Sequence, residues 1–583
     1  MVRLARLRRA ATAAILVVSV AGTAAASTGE RRIGDPLDLS KQTVSASGSF
    51  LAGRLAVSVK DAGAASAYLA EALLADPKNI DLLDRTFLAH VAAGRLDEAA
   101  TYAQRLLEID PRHRIARMML GTSAIRAKRY EIAEGHFRAA VQRPILDLIA
   151  PLMVAWSMTG SGNVQKAVAL AERVRGEDWY ESFRNFTLGT MLDVAGQPDA
   201  ALAKLKLAYD ADPSPVRVSE GYARALARAG RYDEALKVVD DFLLRAPRQP
   251  AMLDLRDDLV NKRPVNRLIE SVQQGAADTL VAIAVPLSRQ GGQDFALAFL
   301  QLALGIDPES PTGLIAISDT FSDLDQPQNA AKALAAVPES SPLKRNAEIA
   351  LGMTLDRLDK TDEGVAHLEA LIKANPSDFD ALITLGNIFH NRKRFAEAAD
   401  AYSKAIALVP KPVQGNWSLF YYRGIAYERT KRWPLAEADF KKALELFPNQ
   451  PDVLNYLGYS WVDQGINLEE GLAMITKAVE QKPDSGYIVD SLGWAYYRIG
   501  NYPEAVKHLE RAVELRPNDS VINDHLGDAY WRVGRKLEAT FQWRHALEKK
   551  PEPEEQVKIE RKLKEGLPPE AKSAETTKNG SGG

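Results

Sequence analysis

A repeating unit of 34 residues constrains this chain more than any other feature. Near the C-terminal end, two successive units carry matching residues at matching offsets: Leu492-Gly493, Tyr496, Ala505, Leu509, Ala512 and Pro517, then Leu526-Gly527, Tyr530, Ala539, Trp543, Ala546 and Pro551. The anchor position of these two units, Gly493 and Gly527, is found again in twelve earlier units: Gly53, Phe87, Gly121, Ala155, Gly189, Ala223, Ala284, Ser318, Gly352, Gly386, Gly424 and Gly458. A period of this length indicates an array of helical repeats.

The residue types fit two helices that cross closely in every unit. Alanine stands twelve residues after the anchor in twelve of the fourteen units, and proline stands at plus twenty-four in eleven of them. Small side chains let helices approach, and the proline ends the second helix because it has no backbone N–H to donate. A glycine in the turns at 93–97 and 229–233 closes the first helix, and an aspartate then opens the second. Neither helix buries its apolar face alone, so stacked units share one core.

This pattern resembles the tetratricopeptide repeat family along nearly the whole chain. The resemblance implies an all-α fold, a right-handed superhelical solenoid of about fourteen helix pairs. Small insertions lie near 412–415 and Ile466, and the register fails between Pro247 and Thr279, where we expect helices over 249–262 and 265–274 around a candidate hinge. The expected divisions are a signal peptide at 1–26, a flexible lead-in at 27–44, an N-terminal array at 45–247, a degenerate helical linker at 248–278, a C-terminal array at 279–563 and a disordered tail at 564–583.

Composition argues against several classes of function. The 74 basic and 76 acidic residues nearly cancel, which disfavours nucleic acid as a partner. There is no cysteine, and no two of the eight histidines have metal-ligand spacing on one helix face, so we expect no metal and no cofactor. Neither a phosphate-binding glycine loop nor a serine nucleophile motif is present. Because almost every residue from 45 to 565 belongs to the repeats, we expect no catalytic residue and no enzyme activity.

The N-terminus predicts export across a membrane. Arg3, Arg6, Arg8 and Arg9 precede an apolar run from Ala10 to Ala21, and Ala24-Ala25-Ala26 offers a cleavage site before Ser27. This order is typical of a secretory signal peptide, and a run of this length is short for a bilayer, which takes about 20 residues. A retained N-terminal anchor is the alternative. We expect a periplasmic or otherwise exported protein that is not a lipoprotein, since it lacks cysteine, and whose membrane association is only indirect.

In tetratricopeptide folds the first helix of each pair lines a concave groove that binds peptides or partner helices. The positions at minus six, minus three, plus one and plus four from the anchor share that helical face. The candidate partner-binding residues in the C-terminal units are Asn387, His390, Tyr421, Asn455, Tyr459, Asp490, Trp494, Tyr497, Asp524, Asp528 and Trp531. By contrast, Trp461, Tyr496, Tyr530 and Trp543 occupy packing positions of the repeat. Aromatic anchors beside hydrogen-bonding groups are typical of protein-binding hot spots.

A second candidate groove lies further forward, at Trp156, Phe183 and Phe186. In the C-terminal groove, Asp490 and Asp524 would repel a partner's carboxylate. We therefore expect an extended or helical partner segment that carries Lys or Arg beside apolar residues. Burial of these groove aromatics by adjacent repeats or by the C-terminal tail is the competing interpretation.

Three stretches, Asn455 to Trp461, Asp490 to Tyr497 and Asn523 to Arg532, resemble envelope proteins of Gram-negative proteobacteria within the same family. That group includes a lipoprotein adaptor of a periplasmic C-terminal-processing protease, although this chain lacks the lipid-bearing cysteine of that adaptor. The resemblance implies a scaffold or adaptor whose partners are other proteins: an envelope complex, a periplasmic protease or its substrates. Two alternatives stay open: an accessory subunit of a secretion or polysaccharide-export complex, and a cell-wall-binding module whose Trp494 and Trp531 stack on sugars.

Overall fold

The chain folds entirely into helices in the part that the structure, a computed structural model, describes: residues 45–141, 149–173 and 179–568. Thirty α-helices and no strand occur in these ranges. Fourteen antiparallel helix pairs account for all but two of the helices, so the predicted all-α fold and number of pairs are confirmed. The chain divides into two compact units between Asn329 and Ala330.

Within its described residues, the first unit contains sixteen helices and the start of a seventeenth, which runs across the division. They are α1 Ala46–Ser58, α2 Ala62–Ala75, α3 Ile80–Ala92, α4 Leu96–Ile109, α5 Arg114–Arg126, α6 Tyr130–Ala140, α7 Ile149–Gly160, α8 Val164–Ala171, α9 Trp179–Val194, α10 Pro198–Ala211, α11 Val216–Arg228, α12 Tyr232–Arg245, α13 Pro250–Val260, α14 Val272–Arg289, α15 Gln293–Ile306, α16 Pro311–Asp323 and α17 Pro327–Ala335.

The second unit contains the remaining helices. They are α18 Lys344–Arg357, α19 Thr361–Ala374, α20 Phe379–Asn391, α21 Phe395–Ala407, α22 Trp417–Arg429, α23 Trp433–Leu446, α24 Pro451–Gln464, α25 Leu468–Gln481, α26 Gly486–Arg498, α27 Tyr502–Leu515, α28 Ser520–Arg532, α29 Lys536–Glu548 and α30 Pro553–Glu565. The four-residue insertion is taken up by a short 3-10 turn at Gln414–Asn416, just before α22.

The anchor glycines bring the two helices of a pair into contact. A Cβ atom built on Gly493 would lie 2.5 Å from Cγ of Leu509, and one on Gly527 would lie 2.5 Å from Cδ1 of Trp543. The alanine twelve residues after the anchor is fully buried in the same units. In these two units a larger side chain at the anchor would force the helices apart, because protein interiors are close-packed. The packing roles predicted for Trp461 and Trp543 are confirmed, since both are buried in the core.

The turns inside the pairs require a left-handed residue. Gly94 has φ +70° and Gly230 has φ +78°, as the sequence predicts for a glycine that closes a helix. In other units a lysine takes the same conformation: Lys128, Lys393 and Lys431 have φ between +57° and +61°. Side chains with a Cβ are strained in this region of backbone space.

The segment predicted to be a linker belongs to the core of the first unit. Met252, Leu255 and Leu259 of α13 are buried against α11 and α12. No helix forms over 265–271, and the next helix begins at Val272. The prediction of a helix over 265–274 is therefore wrong except for 272–274. The reason is that Val265 and Ile269 are buried as an extended connection between α13 and α14. The division between units therefore lies at 329/330 and not within 248–278.

The pair formed by α14 and α15 turns back onto the first unit. The helix α14 packs on α5, α7 and α9, and α15 packs on α3 and α5. Gln273 Nε2 donates to the Ile125 carbonyl and the Tyr130 hydroxyl, both at 3.1 Å, and Gln301 Nε2 donates to the Ala92 carbonyl at 3.1 Å. Ile125 and Ala92 lie on first helices of earlier pairs, and Tyr130 begins the second helix of its pair. The face that the sequence assigns to a groove is thus covered by a later part of the same unit.

The two ends of the chain differ in how far the structure describes them. The signal peptide at 1–26 and the lead-in at 27–44 lie outside the described residues. Of the expected disordered tail, Lys564 and Glu565 are helical and complete α30, because this helix packs on α29. Among the described helices, none combines the length and the apolar character that crossing a membrane requires.

Candidate functional site

The candidate residues of the C-terminal unit lie on the first helices of five successive pairs: α20, α22, α24, α26 and α28. Residues three, four and seven apart share one helical face, so each helix presents its one to three candidates on that face. The structure then separates these residues into three groups. One group is covered by α30, the second is half-buried with hydrogen-bonding atoms that have no partner among the described residues, and the third is engaged by neighbouring side chains.

The covered group centres on two aspartates of α28. Lys562 of α30 places its Nζ 2.8 Å from Asp524 Oδ2 and 2.8 Å from Asp528 Oδ2. Asp528 Oδ1 also accepts a hydrogen bond from Trp543 Nε1 at 2.9 Å. Burial raises the pKa of Asp528 to about 6, although the Lys562 ammonium opposes that rise. The cation that the acidic groove was predicted to attract is thus supplied by the chain itself.

Trp531 is covered by the end of the same helix. A Cβ on Gly566 would lie 2.1 Å from Cζ2 of Trp531, so the backbone rests directly on the indole. Leu563 and Leu567 pack beside it, and Arg532 donates to the Pro568 carbonyl at 2.8 Å. The prediction that Trp531 is an open groove residue is therefore wrong, because the last helix and the residues after it occupy that surface.

A buried histidine organises the junction between α26 and α28. His525 Nδ1 donates to the Asp490 carboxylate, 3.0 Å from Oδ1, and its ring stacks on Trp494 with centroids 4.0 Å apart. Trp494 also stacks on Tyr497 at 4.7 Å. Burial lowers the pKa of His525, but the charge and the hydrogen bond of Asp490 outweigh burial and raise it above 6.5. Asp490 is therefore engaged by a cation of its own chain.

Sequence reasoning missed His525 and Lys562. His525 stands two residues before its anchor, on a position that the groove template does not include. Lys562 does carry a signal: adding the period of 34 to Asp528 gives position 562. The helix α30 thus behaves as the first helix of an incomplete fifteenth unit, with Lys562 at its plus-one position. Nothing in the composition of 553–565 predicts that its lysine is buried between carboxylates.

The half-buried group lies on α20, α24 and α26. His390 Nδ1, Asn455 Oδ1 and Trp494 Nε1 are buried atoms that have no hydrogen-bond partner within the described part of the chain. Burial, reinforced by Arg429, lowers the pKa of His390, so its ring is neutral near pH 7. Tyr459 lies on α24 four residues after Asn455, and burial raises the pKa of its phenol. Unpaired donors and acceptors on one face are suited to binding the backbone of another chain.

The remaining C-terminal candidates have partners already. Asn387 accepts a hydrogen bond from the Tyr402 hydroxyl at 2.8 Å. Tyr421 packs in an aromatic cluster and meets Tyr456 edge-on at 6.0 Å. Tyr421 thus contributes to the packing between pairs, although the sequence pattern assigns it to the groove.

The second candidate groove is closed. Trp156 is 1% exposed, and its Nε1 donates to Thr279 Oγ1 of α14 at 2.9 Å. A Cβ on Gly275 would lie 2.1 Å from Trp156 Cη2, so only glycine fits where α14 crosses the indole. Phe186 is buried and Phe183 is half-buried. This surface was predicted to be free because the repeat pattern does not show that α14 returns to cover it.

A metal site has no cluster of ligands to support it in the described ranges. Within 45–141, 149–173 and 179–568, no group of three or more His, Asp or Glu residues is arranged to hold a metal ion. The buried charged cluster around Lys562 pairs its charges internally.

Sequence profiles of the tetratricopeptide repeat match five segments of the chain: 85–145, 195–259, 349–411, 417–450 and 493–534. The chain is a tetratricopeptide repeat protein. Repeat proteins of this kind stack helix pairs into extended concave binding surfaces, which indicates a protein–protein interaction scaffold with protein partners.

Several known proteins are similar to this tetratricopeptide repeat protein over part of its length. TPR repeat-containing protein PA4667 of Pseudomonas aeruginosa is 32% identical over 92 residues, which is 16% of each chain. Human tetratricopeptide repeat protein 13 is 34% identical over 103 residues, 18% of this chain and 11% of its own length. The matches thus span less than a fifth of either relative. Yeast Tom70 is 15% identical with a TM-score of 0.34, covering 78% of this chain and 95% of that one.

Proposed function

We propose that this protein is a non-enzymatic scaffold that binds a segment of a partner protein in its C-terminal groove. The C-terminal groove is defined here by His390, Asn455, Tyr459 and Trp494. The observation that carries the proposal is the set of three buried polar atoms without partners, on His390, Asn455 and Trp494. A buried polar atom left unpaired costs about 1–3 kcal/mol, so a ligand that pairs these atoms recovers that free energy.

The chemistry of these groups defines the partner segment. Trp494 Nε1 donates and requires an acceptor, whereas Asn455 Oδ1 accepts and requires a donor. An extended backbone supplies both, and the rings of Tyr459 and Trp494 contact its apolar side chains. Next to Trp494, the carboxylates of Asp524 and Asp528 bind a cation, as their ion pairs with Lys562 illustrate. A partner's Lys or Arg reaches Asp524 and Asp528 by displacing α30.

Affinity capture with the full chain tests this proposal. The parent protein is compared with the double variant Asn455→Ala and Trp494→Ala, using envelope extract. Phe541→Ala is the matched control, because Phe541 is an exposed aromatic residue on α29, a second helix that does not line the groove. We expect a partner retained by the parent and the control and lost at least about tenfold by the double variant, the loss that 1.4 kcal/mol produces. Equal capture by all three proteins, each with an unchanged helical spectrum, would refute the site.

We also propose that the protein works in the bacterial cell envelope, with an envelope complex, a processing protease or its substrates as partners. The basic start, the apolar run from Ala10 to Ala21 and the small residues before Ser27 support export. The stretches resembling envelope proteins support the choice of partners. Fractionation of cells producing the tagged chain, with mass spectrometry of its N-terminus, tests the location. An N-terminus at Ser27 in the periplasmic fraction is expected, and recovery of the uncleaved chain from the cytoplasm would contradict it.

A further inference from the structure

An open cavity of about 420 Å³ remains in the first unit, at the end that the α14–α15 pair leaves uncovered. It lies between α1, α2, α3, α5 and α15. We call it the N-terminal cleft and define it by Val57, Lys60, Arg85, Leu88, Ile115 and Phe295. Its volume is within the range of about 300–1,000 Å³ that is typical of binding sites in proteins.

Large apolar side chains stand exposed around this cleft. Val57 is 51% exposed, Leu88 is 40% exposed and Phe295 is 58% exposed. Val57 and Leu88 occupy the plus-four and plus-one groove positions of the first two units, counted from Gly53 and Phe87. The cleft is thus the uncovered part of the same concave face that α14 and α15 fill further along. Clustered exposed apolar groups with a polar rim are characteristic of interaction surfaces.

The charges of the cleft are not neutralised by neighbours. Lys60 and Arg85 line it together with Asp294, and none of the three forms an ion pair with another described residue. Two cations against one carboxylate leave a net positive charge. The backbone at Lys60 is fixed, because its carbonyl accepts from Gln326 Nε2 at 2.7 Å. An incoming group therefore meets a preformed apolar surface flanked by unpaired cations.

We propose that the N-terminal cleft binds a protein segment that carries bulky apolar side chains next to acidic ones. The apolar side chains pack on Leu88 and Phe295, and the carboxylates pair with Lys60 and Arg85. This site is separate from the C-terminal groove and does not depend on it. The scaffold then offers one docking surface in each of its two units.

Fluorescence anisotropy with the full chain tests the proposal. The Glu probe is a fluorescein-labelled dodecapeptide made of three Glu-Leu-Phe-Glu units. The Lys probe is the same peptide with Lys in place of every Glu. We expect the Glu probe to bind at least about tenfold more tightly than the Lys probe, since like charges are disfavoured at an interface. The difference shrinks at high salt because exposed charges are screened.

Three variants locate the binding. Arg85→Glu weakens the Glu probe about tenfold and strengthens the Lys probe, whereas Asp294→Asn strengthens the Glu probe. Lys78→Glu is the matched control, because it reverses an exposed cation of the same unit away from the cleft. The control keeps the parent affinity, as does Trp494→Ala in the C-terminal groove.

Several outcomes overturn the proposal. One is equal affinity for both probes with no effect of Arg85→Glu. Another is no peptide binding together with binding of dodecanoate, which would make the cleft a site for small amphiphiles. A third is self-association of the parent that Phe295→Ala abolishes, because the cleft would then be filled by a second copy. Circular dichroism of each variant shows that the fold is retained.

Discussion

Single glycines decide how closely the helices of a pair approach. Periodicity alone identifies the anchor position, and the contacts of the glycine explain why a small residue stands there. At Gly527 the added Cβ would meet the buried Trp543, whereas at Gly135, on the exposed face of α6, no atom lies within 4 Å. The same substitution therefore has opposite consequences at the two positions.

We predict that Gly527→Ala destabilises the protein and that Gly135→Ala stabilises it. Overpacking against Trp543 costs about 1–3 kcal/mol, partly offset by the better helix propensity of alanine. At Gly135 only the propensity acts, with a gain of about 0.5–1 kcal/mol. Urea unfolding followed by circular dichroism measures both changes. A stabilising effect at both glycines would show that the anchor is not held by packing.

The buried histidine of the second unit predicts a pH dependence. The folded-state pKa of His525 is raised above 6.5, so the folded chain retains this proton over a pH range where the unfolded chain releases it. The stabilising contribution is complete below 6.5 and is lost as pH rises through the folded-state value. We expect the melting temperature to fall over this interval in the parent and to change less in His525→Gln.

His508→Gln provides the matched control for that measurement. Burial lowers the pKa of His508, so its contribution changes only as pH falls through 6.5 and not above it. The control should keep the slope of the parent on the alkaline side. Identical slopes for the parent and for His525→Gln would contradict the assignment of the proton to the contact with Asp490.

At the scale of elements, α30 closes the second unit through one buried lysine. Terminal helices of a repeat array are exposed on their outer side and must cover the last apolar face. Here the covering helix also neutralises Asp524 and Asp528, which would otherwise face each other as buried like charges. The attachment of the helix therefore depends on a charge as well as on Leu563.

We predict that Lys562→Ala releases α30 and that Lys558→Ala does not. While α30 stays docked, losing Lys562 costs about 3–5 kcal/mol, because the two carboxylates remain buried without a cation, and release of the helix relieves that cost. Lys558, one turn earlier, is 62% exposed in its pair with Glu555, and such surface pairs contribute about 0–1 kcal/mol. Hydrogen exchange of residues 553–568 measures the release. Equal exchange in the two variants would indicate that apolar packing alone holds the helix.

The repeat pattern predicted the elements well and their long-range contacts poorly. The fourteen pairs, their anchors and the core roles of Trp461 and Trp543 follow from positions that recur within one unit. The closure of the Trp156 surface depends on Thr279, which is 123 residues away in sequence. Periodicity describes each helix against its immediate neighbours, so it cannot show that a later pair returns to fill a groove. Lys562 was missed for a related reason, because the pattern stops before its incomplete unit.

At the scale of the whole molecule, the two proposed sites belong to different units. The C-terminal groove offers a neutral histidine and unpaired amide and indole atoms, whereas the N-terminal cleft offers unpaired cations around apolar side chains. Segments that suit one site do not suit the other. A scaffold with two dissimilar sites brings together two different partners.

We predict that the two sites are occupied independently. Saturating the protein with the Glu-Leu-Phe-Glu probe should leave the affinity for the captured partner unchanged, because the sites share no residue. A three-component complex should then be detected by analytical ultracentrifugation. Mutually exclusive binding would contradict this prediction.

The return of α14 to the groove of α5, α7 and α9 has a consequence for biosynthesis. Ribosomes add about 5–20 residues per second, so Thr279 emerges roughly 6–25 seconds after Trp156. Throughout that interval the indole and its apolar surroundings face solvent on a nascent chain whose earlier pairs are already able to stack. The covering pair thus completes a fold that was begun without it, and the early helices of this protein are natural substrates for chaperones that bind exposed apolar surface.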